Sequence, residues 1–323
     1  MTNLGLTVYG CEPDEADLLR KLSPRFGIVP TTTTAPVSDT NVAAAPGNRC
    51  ISVGHKSEIA APILLALKET GVEHISTRSI GVNHIDLDAA GQLGITVENV
   101  TYAPDGVADY TLMLLLMLTR DAKDTVRSVN HYDFRLRSVR GRELRDMTVG
   151  VVGVGRIGNA VIRRLNGFGC RVLASNNGGH AAAPADFVSL DELLRESDIV
   201  TLHLPLNPET HHLIGRKEIE TMKHGAYLIN TGRGALVDTD ALIVALEDGT
   251  LGGAALDVLE GEEGLFYFDC TKRRRDNPFL PRLQRLPNVL ITPHTAYYTE
   301  RALHDTVEQT LIKCLDFERN RAM

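Results

Sequence analysis

In the second half of the chain an arginine, a glutamate and a histidine each stand just beyond a short apolar run: Arg233 in INTGRGALVD, Glu262 in ALDVLEGEE and His294 in ITPHTAYYTE. Together these residue types suit the hydride reduction of a 2-oxo acid, which needs a cation on the carboxylate and ketone and a proton donor for the developing alkoxide. The planar fork of Arg233 can hold a carboxylate and reach a carbonyl oxygen. His294 can give the proton, and Glu262 is the carboxylate that would favour its imidazolium form. In the reverse direction neutral imidazole takes the proton back. Taken singly, Arg233 and Glu262 also read as a surface ion pair and His294 as a capping residue.

Gly153, Gly155 and Gly158 have the G-x-G-x-x-G spacing in GVGRIG, directly after the apolar strand MTVGVV and at the opening of a helix. The first glycine allows a tight turn, the second lets backbone approach a diphosphate, and the third lets helix pack on sheet. The helix N-terminus adds amide donors. At the end of the next strand a dinucleotide-binding protein for NAD places an acidic residue on the ribose; here Asn176 stands instead. Without that charge a 2′-phosphate is not repelled, although NNGGH offers no arginine to grip one. NADH and NADPH both remain open.

The elements needed to bring these groups together are legible as alternation. Strand patterns at 6–9 and 50–53 alternate with helical ones at 12–22 and 59–70, which predicts a parallel sheet with crossover helices. After Pro104 an apolar helix follows, with Asp105 as its predicted cap; being apolar nearly all round, it is expected to be buried between domains or subunits. Residues 147–175 read as one βαβ unit, and further strands are predicted at 199–203, 226–230, 253–256 and 289–292. Ligands in open α/β sheets bind beyond the carboxyl ends of strands, where Arg233, Glu262 and His294 stand. The fold class is α/β, two doubly wound parallel-sheet lobes: a dinucleotide-binding domain over 102–295, inserted into a smaller flavodoxin-like domain of 1–101 plus 296–323. The amphipathic C-terminal helix is expected to return to the first lobe, leaving a cleft.

Composition narrows the partners. With 323 residues, 43% apolar and 23% charged, the chain is that of a packed two-domain protein. A net charge of −7 gives no general attraction to nucleic acid or an anionic membrane. The apolar run 112–118 is far below the roughly 20 residues of a bilayer span, and the polar N-terminus lacks a signal-peptide pattern. Five scattered cysteines without a CxxC pair predict neither disulfides nor structural zinc, hence a reduced, cytoplasmic protein. His211 and His212 adjoin without metal-ligand spacing, so no metal is expected. The basic run 272–275 reads as a solvated loop face, with a 2′-phosphate or partner contact as the alternative. Tyr297 and Tyr298 are either core aromatics or pocket wall.

GVGRIG, NTGRG, DVLEGEE and PHTAYYTE occur together, in order and spacing, and with them the chain resembles the D-isomer-specific 2-hydroxyacid dehydrogenases over nearly its whole length. It is most similar to the D-lactate dehydrogenase branch, which carries a long segment after the glutamate, here 264–279. YGCEPDEAD, SPRFG, ISVGHKSEI, TRSIGVNHID, LEGEEGLFYFDCT and LDFER look like the members that make D-lactate from pyruvate for D-alanyl-D-lactate cell-wall precursors in glycopeptide resistance.

The resemblance implies Arg233, Glu262 and His294 as the catalytic triad. It implies backbone amides of Ile80 and Gly81 and the side chain of Tyr102 around the substrate; Tyr297 is a further substrate-contact candidate from its position just past His294. Cofactor contacts fall on Gly153, Gly155, Arg156, Ile157, Gly158, Asn176, Pro205, Thr210, Thr231, Gly232 and Asp257. A homodimer joined through the cofactor lobe is also implied. Two alternatives stay open: a broader dehydrogenase for longer 2-oxo acids, and a non-catalytic NAD(H)-sensing module like the corepressors related to this family. D stereochemistry rests on resemblance alone.

Overall fold

A computed structural model describes all residues except 1–3, 45–46, 57, 137–139, 177–182, 273–275 and 323. The chain divides into two compact units, Met1–Ala103 with Tyr298–Met323, and Pro104–Tyr297. Each crossing falls two residues later than the sequence pattern puts it, so Tyr102 belongs to the first unit.

That first unit runs β1 (Leu4–Val8), α1 (Pro13–Leu22), β2 (Ile28–Thr32), β3 (Cys50–Val53), α2 (Ala61–Glu69), β4 (His74–Thr77), α3 (Leu87–Gln92) and β5 (Thr96–Asn99). Its five strands are all parallel, in the order β2-β1-β3-β4-β5, which is the flavodoxin-like arrangement. Both faces are covered, as parallel sheets require. One face packs Ile51, Val53 and Ile75 against Leu64 and Leu67 of α2. The other sets Leu6, Val8 and Cys50 against Leu19 and Leu22 of α1 and against residues 307, 311 and 314 near the C-terminus.

The second unit runs α4 (Asp105–Thr119), α5 (Ala122–Asn130), β6 (Thr148–Val152), α6 (Arg156–Gly167), β7 (Arg171–Ser175), β8 (Asp186–Phe187), α7 (Leu190–Glu196), β9 (Ile199–Leu202), α8 (Arg216–Thr221), β10 (Ala226–Asn230), α9 (Thr239–Glu247), β11 (Leu251–Leu256), α10 (Leu280–Arg285) and β12 (Val289–Ile291). Helix α11 (Glu300–Ala322) then returns to the first unit. The seven parallel strands are ordered β12-β11-β10-β9-β6-β7-β8: β7 and β8 extend the sheet to one side of β6, and β9 to β12 to the other. Alternate residues face opposite cores: Val149 and Val151 lie with α4 and α6, whereas Val152 lies with α7 and α9.

One detail of α4 departs from the sequence reading. Pro104, not Asp105, occupies the cap position and makes no side-chain cap; the Asp105 carboxylate accepts from Arg164 Nη2 at 2.8 Å. Ala108, Leu112 and Leu115 of the helix enter the core of this chain, whereas Met113 is 40% exposed on it.

All five cysteines are free thiols. Among the described residues no helix is long and apolar enough to cross a membrane.

Candidate active site

The glycine turn forms where β6 meets α6. Gly153 has φ +90, a region costly for any side chain, and a Cβ there would lie 2.8 Å from the His203 carbonyl oxygen. Gly158 sits so close to the turn that a Cβ would come within 2.0 Å of Gly153 O. Gly155 is different: it is exposed at the helix cap, and a Cβ would meet no atom within 4 Å. The turn therefore presents open space in front of the first amides of α6, which fits the diphosphate of a dinucleotide. Arg156 is exposed on the first helical position and Ile157 is half-buried behind it.

Asn176 directly follows β7, and its Oδ1 lies 3.5 Å from the Val154 amide nitrogen. The structure thus keeps a neutral amide beside the glycine turn, where a carboxylate would select against a 2′-phosphate. The adjoining 177–182 and the run's Arg273, Arg274 and Arg275 lie outside the described residues; Lys272 is exposed.

Pro205 and Thr210 belong to one loop after β9. Thr210 is buried and donates to Pro205 O at 2.7 Å, so its hydroxyl closes the loop on itself. The Thr231 hydroxyl lies 3.0 Å from that of Thr111 on α4, which ties the end of β10 to the helix. Asn230 then shapes the NTGRG loop: its Oδ1 accepts from Gly232 N at 3.0 Å and its Nδ2 donates to Arg233 O at 2.8 Å. Arg233 follows in extended conformation, half-buried, its Nη1 donating to Gly232 O at 2.7 Å. At Gly234 a Cβ would lie 2.2 Å from Leu259 C, so backbone there touches backbone of the segment leading to Glu262.

Glu262 and His294 meet directly. Nδ1 of His294 lies 2.5 Å from Glu262 Oε1, and the other carboxylate oxygen accepts from Leu259 N at 2.6 Å. Both side chains are about 15% exposed, enough for contact with a small molecule but mostly out of water. His294 has φ +55, and Tyr267 beside it has φ +70. Tyr267 Oη donates to His294 O at 2.8 Å, and burial pushes its phenol upward, keeping it a donor. Tyr297 stands edge-on to the imidazole, ring centres 6.3 Å apart, so it walls the histidine. Tyr298 is exposed, and its hydroxyl donates to Asp14 in the first unit.

The sequence nominates Asp257 for a cofactor contact. The structure gives both its oxygens to the loop that carries His294: Oδ1 accepts from Thr292 Oγ1 at 2.6 Å and Thr295 N at 3.0 Å, and Oδ2 from Ala296 N at 2.9 Å. The residue has no exposed surface. A buried carboxylate with three donors is well satisfied, and it fixes the loop from beneath.

In the first unit the turn after β4 holds Ile80 and Gly81. Asn99 Nδ2 donates to Ile80 O at 2.6 Å and Ser79 Oγ to Gly81 O at 2.6 Å, fixing the carbonyls of the segment whose amides the sequence nominates. Buried Arg78 braces that turn, donating to Glu15 Oε1, Ser52 Oγ and Tyr9 O. Tyr102 is half-buried in this unit.

Several contributors escape sequence reasoning: Asn230, Gly234, Tyr267 and the positional use of Asp257. Glu260 is another, since its carboxylate lies 2.9 Å from His212 Nε2 and accepts from Thr239 Oγ1 at 2.9 Å. With His211 stacked on His212, these three groups stand together, although only the two histidines adjoin in sequence.

Comparisons with known proteins agree with this architecture. The profile of the D-isomer specific 2-hydroxyacid dehydrogenase NAD-binding domain matches residues 112–296. The D-specific alpha-keto acid dehydrogenase of Enterococcus faecium is 64% identical over 321 residues, 99% of each chain. Among solved structures, the pyruvate reductase of Chlamydomonas reinhardtii superposes with a TM-score of 0.89 at 34% identity, covering 98% of this chain and 97% of the other. The NAD-complexed D-isomer specific 2-hydroxyacid dehydrogenase of Lactobacillus delbrueckii ssp. bulgaricus does so with a TM-score of 0.83 at 32% identity, with the same coverage.

Proposed function

Because the chain belongs to the D-isomer specific 2-hydroxyacid dehydrogenases, a family of NAD-dependent oxidoreductases, we propose that it reduces pyruvate and related small 2-oxo acids to D-2-hydroxy acids, with D-lactate as its main product. The observation that carries the reading is the 2.5 Å pairing of His294 Nδ1 with Glu262 Oε1, in the same unit as the glycine turn.

In this reading Gly153, Gly155, Arg156, Ile157 and Gly158 hold the dinucleotide's diphosphate and Asn176 its ribose, with the 205–210 loop and Thr231–Gly232 further along. The nicotinamide, when bound, supplies the hydride. Arg233 grips the substrate carboxylate and polarises the ketone through its fork. With Nδ1 held by Glu262, the proton leaves for the alkoxide from Nε2 of His294. Glu262 orients the ring and carries the complementary charge. Asp257 keeps the 292–296 loop in place, and Tyr297 closes the pocket wall. Ile80, Gly81 and Tyr102 are assigned substrate contacts by the resemblance of TRSIGVNHID and its neighbourhood to the family. Asn176, being neutral, admits NADPH beside NADH.

Similarity of YGCEPDEAD, TRSIGVNHID and LEGEEGLFYFDCT to the dehydrogenases of glycopeptide resistance supports a role in supplying D-lactate to D-alanyl-D-lactate precursors. The homodimer finds support in α4, α5 and α6. Met113, Val126, Val129 and Phe168 are exposed there, and a groove of about 570 Å³ runs between Leu112, Leu116 and Arg164. An apolar surface of that kind on a folded unit marks an interface.

The test is nicotinamide absorbance with NADH and, separately, NADPH against pyruvate, 2-oxobutyrate and a branched 2-oxo acid. Fast oxidation with pyruvate and chiral identification of D-lactate are expected, and His294→Ala should remove turnover while leaving NADH binding. Unchanged turnover in His294→Ala, or preference for the branched acid, would overturn the respective part.

A further inference from the structure

We propose that Tyr267 is a positioning residue for the proton donor: its hydroxyl pins the main chain of His294 and so holds the imidazole against Glu262. The inference rests on the reading of His294 as proton donor given above. It concerns a residue in the long segment after the glutamate, to which the chemistry assigns no part.

The turn that begins at Glu262 leads directly to this tyrosine. Leu265 N and Phe266 N both donate to Glu262 O, at 2.9 and 3.0 Å, so residues 262–267 form one compact piece of backbone. From that piece two groups reach the same histidine. Glu262 Oε1 takes the ring nitrogen and Tyr267 Oη takes the carbonyl oxygen, at 2.5 and 2.8 Å. The histidine's amide is anchored from elsewhere, to Asp257 O at 2.6 Å and Thr292 O at 3.0 Å. Amide, carbonyl and ring are thus each tied.

Such tying has a physical reason. His294 and Tyr267 both hold a left-handed backbone, φ +55 and +70, which L side chains adopt at a cost and keep only where surroundings fix them. If the carbonyl of His294 lost its donor, the peptide could rotate toward the ordinary region and swing the imidazole off the glutamate. The Tyr267 ring packs at the edge of the buried cluster around Phe266 and Leu259, with its centre 5.9 Å from the imidazole. That packing makes the hydroxyl a fixed donor. Removing the hydroxyl takes a hydrogen-bond donor away from a half-buried carbonyl oxygen.

The test is Tyr267→Phe, which keeps the ring's volume and removes only the hydroxyl. In the unliganded protein a short Nδ1–H···carboxylate bond gives a far-downfield imidazole proton resonance, assigned by its absence in His294→Ala. The expected results for Tyr267→Phe are loss or broadening of that resonance and a roughly 5- to 10-fold lower kcat, from the net worth of one hydrogen bond. The KM for pyruvate should stay within twofold, and the solvent deuterium isotope effect on kcat should rise as proton transfer becomes limiting. NADH affinity, measured by fluorescence, checks that the second unit is folded. A sharp, unshifted resonance with kcat and isotope effect as in the parent protein would show that the tyrosine only fills space, and would overturn the proposal. A failure of the underlying reading looks different: His294→Ala would itself turn over.

Discussion

Gly155→Ala and Gly158→Ala should separate cofactor binding from folding, although the two glycines are three residues apart in one motif. Gly155 has φ −79 and ψ −158, which alanine adopts without strain, and its Cβ would meet no atom of the chain within 4 Å. Alanine gains roughly 0.4–1 kcal/mol by restricting the unfolded chain, and loses a few tenths or more as a poorer helix cap. The thermal midpoint should therefore move by no more than a few degrees. The methyl group, however, projects into the open space before the amides of α6, which is the proposed site of the diphosphate. Losing one charge-assisted hydrogen bond costs about 1.5–3 kcal/mol, or roughly 10- to 150-fold in the Kd for NADH. Gly158→Ala drives a methyl to 2.0 Å from Gly153 O, a backbone atom that no side-chain rotation can move aside, so α6 must shift away from β6. Overpacking of that kind costs about 1–3 kcal/mol, lowering the midpoint by several degrees. Fluorescence titration with NADH and scanning calorimetry on both variants read the two effects. NADH bound to Gly155→Ala within twofold of the parent affinity would refute the placement of the diphosphate.

Asn176→Asp restores a negative charge at the end of β7, and the ratio of kcat/KM for NADH over NADPH should rise about tenfold or more, since a 2′-phosphate is then repelled; steady-state assays with both cofactors check it, and an unchanged ratio refutes it. The His203 ring, held near Thr201 Oγ1, is pushed down to about 4 by desolvation. The unfolded chain takes its proton near pH 6.5, so stability present above that pH is lost as pH falls towards 4, by about 2 kcal/mol between pH 7 and 5. Urea melts at those two pH values should show a smaller loss for His203→Gln, and equal losses would assign the effect elsewhere. Met113→Glu places a charge in the apolar groove of α4, and analytical ultracentrifugation should show dissociation towards monomer, whereas a dimer unchanged at micromolar concentration would move the interface to another face.

Much of this was legible because parallel sheets and glycine turns leave local signatures. The strand before GVGRIG, the glycine spacing and the runs ending near Arg233, Glu262 and His294 are all statements about neighbours in sequence. What pattern reading could not see are contacts set by tertiary approach. Gly234 looks like an ordinary loop glycine until Leu259 is found against it. Asp257 reads as a polar residue at a strand end, and only the folded loop shows its carboxylate turned inward to three donors. The apolar periodicity of α4 is equally ambiguous, because a core stripe and an exposed interface stripe use the same residues; burial alone separates Leu115 from Met113. Composition hides β2, β4, β5 and β8: IVPTT, HIST, TVEN and DF offer no apolar run of the kind that marks CISV, IVTL and VLI in β3, β9 and β12.

The return of α11 to the first unit also sets an order of events during synthesis. Val307, Leu311 and Cys314 are fully buried against Leu6, Val8 and Cys50, strands made some 250 residues or more earlier in translation. The intervening unit, Pro104–Tyr297, is contiguous and can condense once it has left the ribosome, while one face of the N-terminal sheet, covered only in part by α1, waits for its last helix. Until α11 arrives, Leu6, Val8 and Cys50 lack part of their apolar cover, so the host of the insertion is the last part of the chain to be completed.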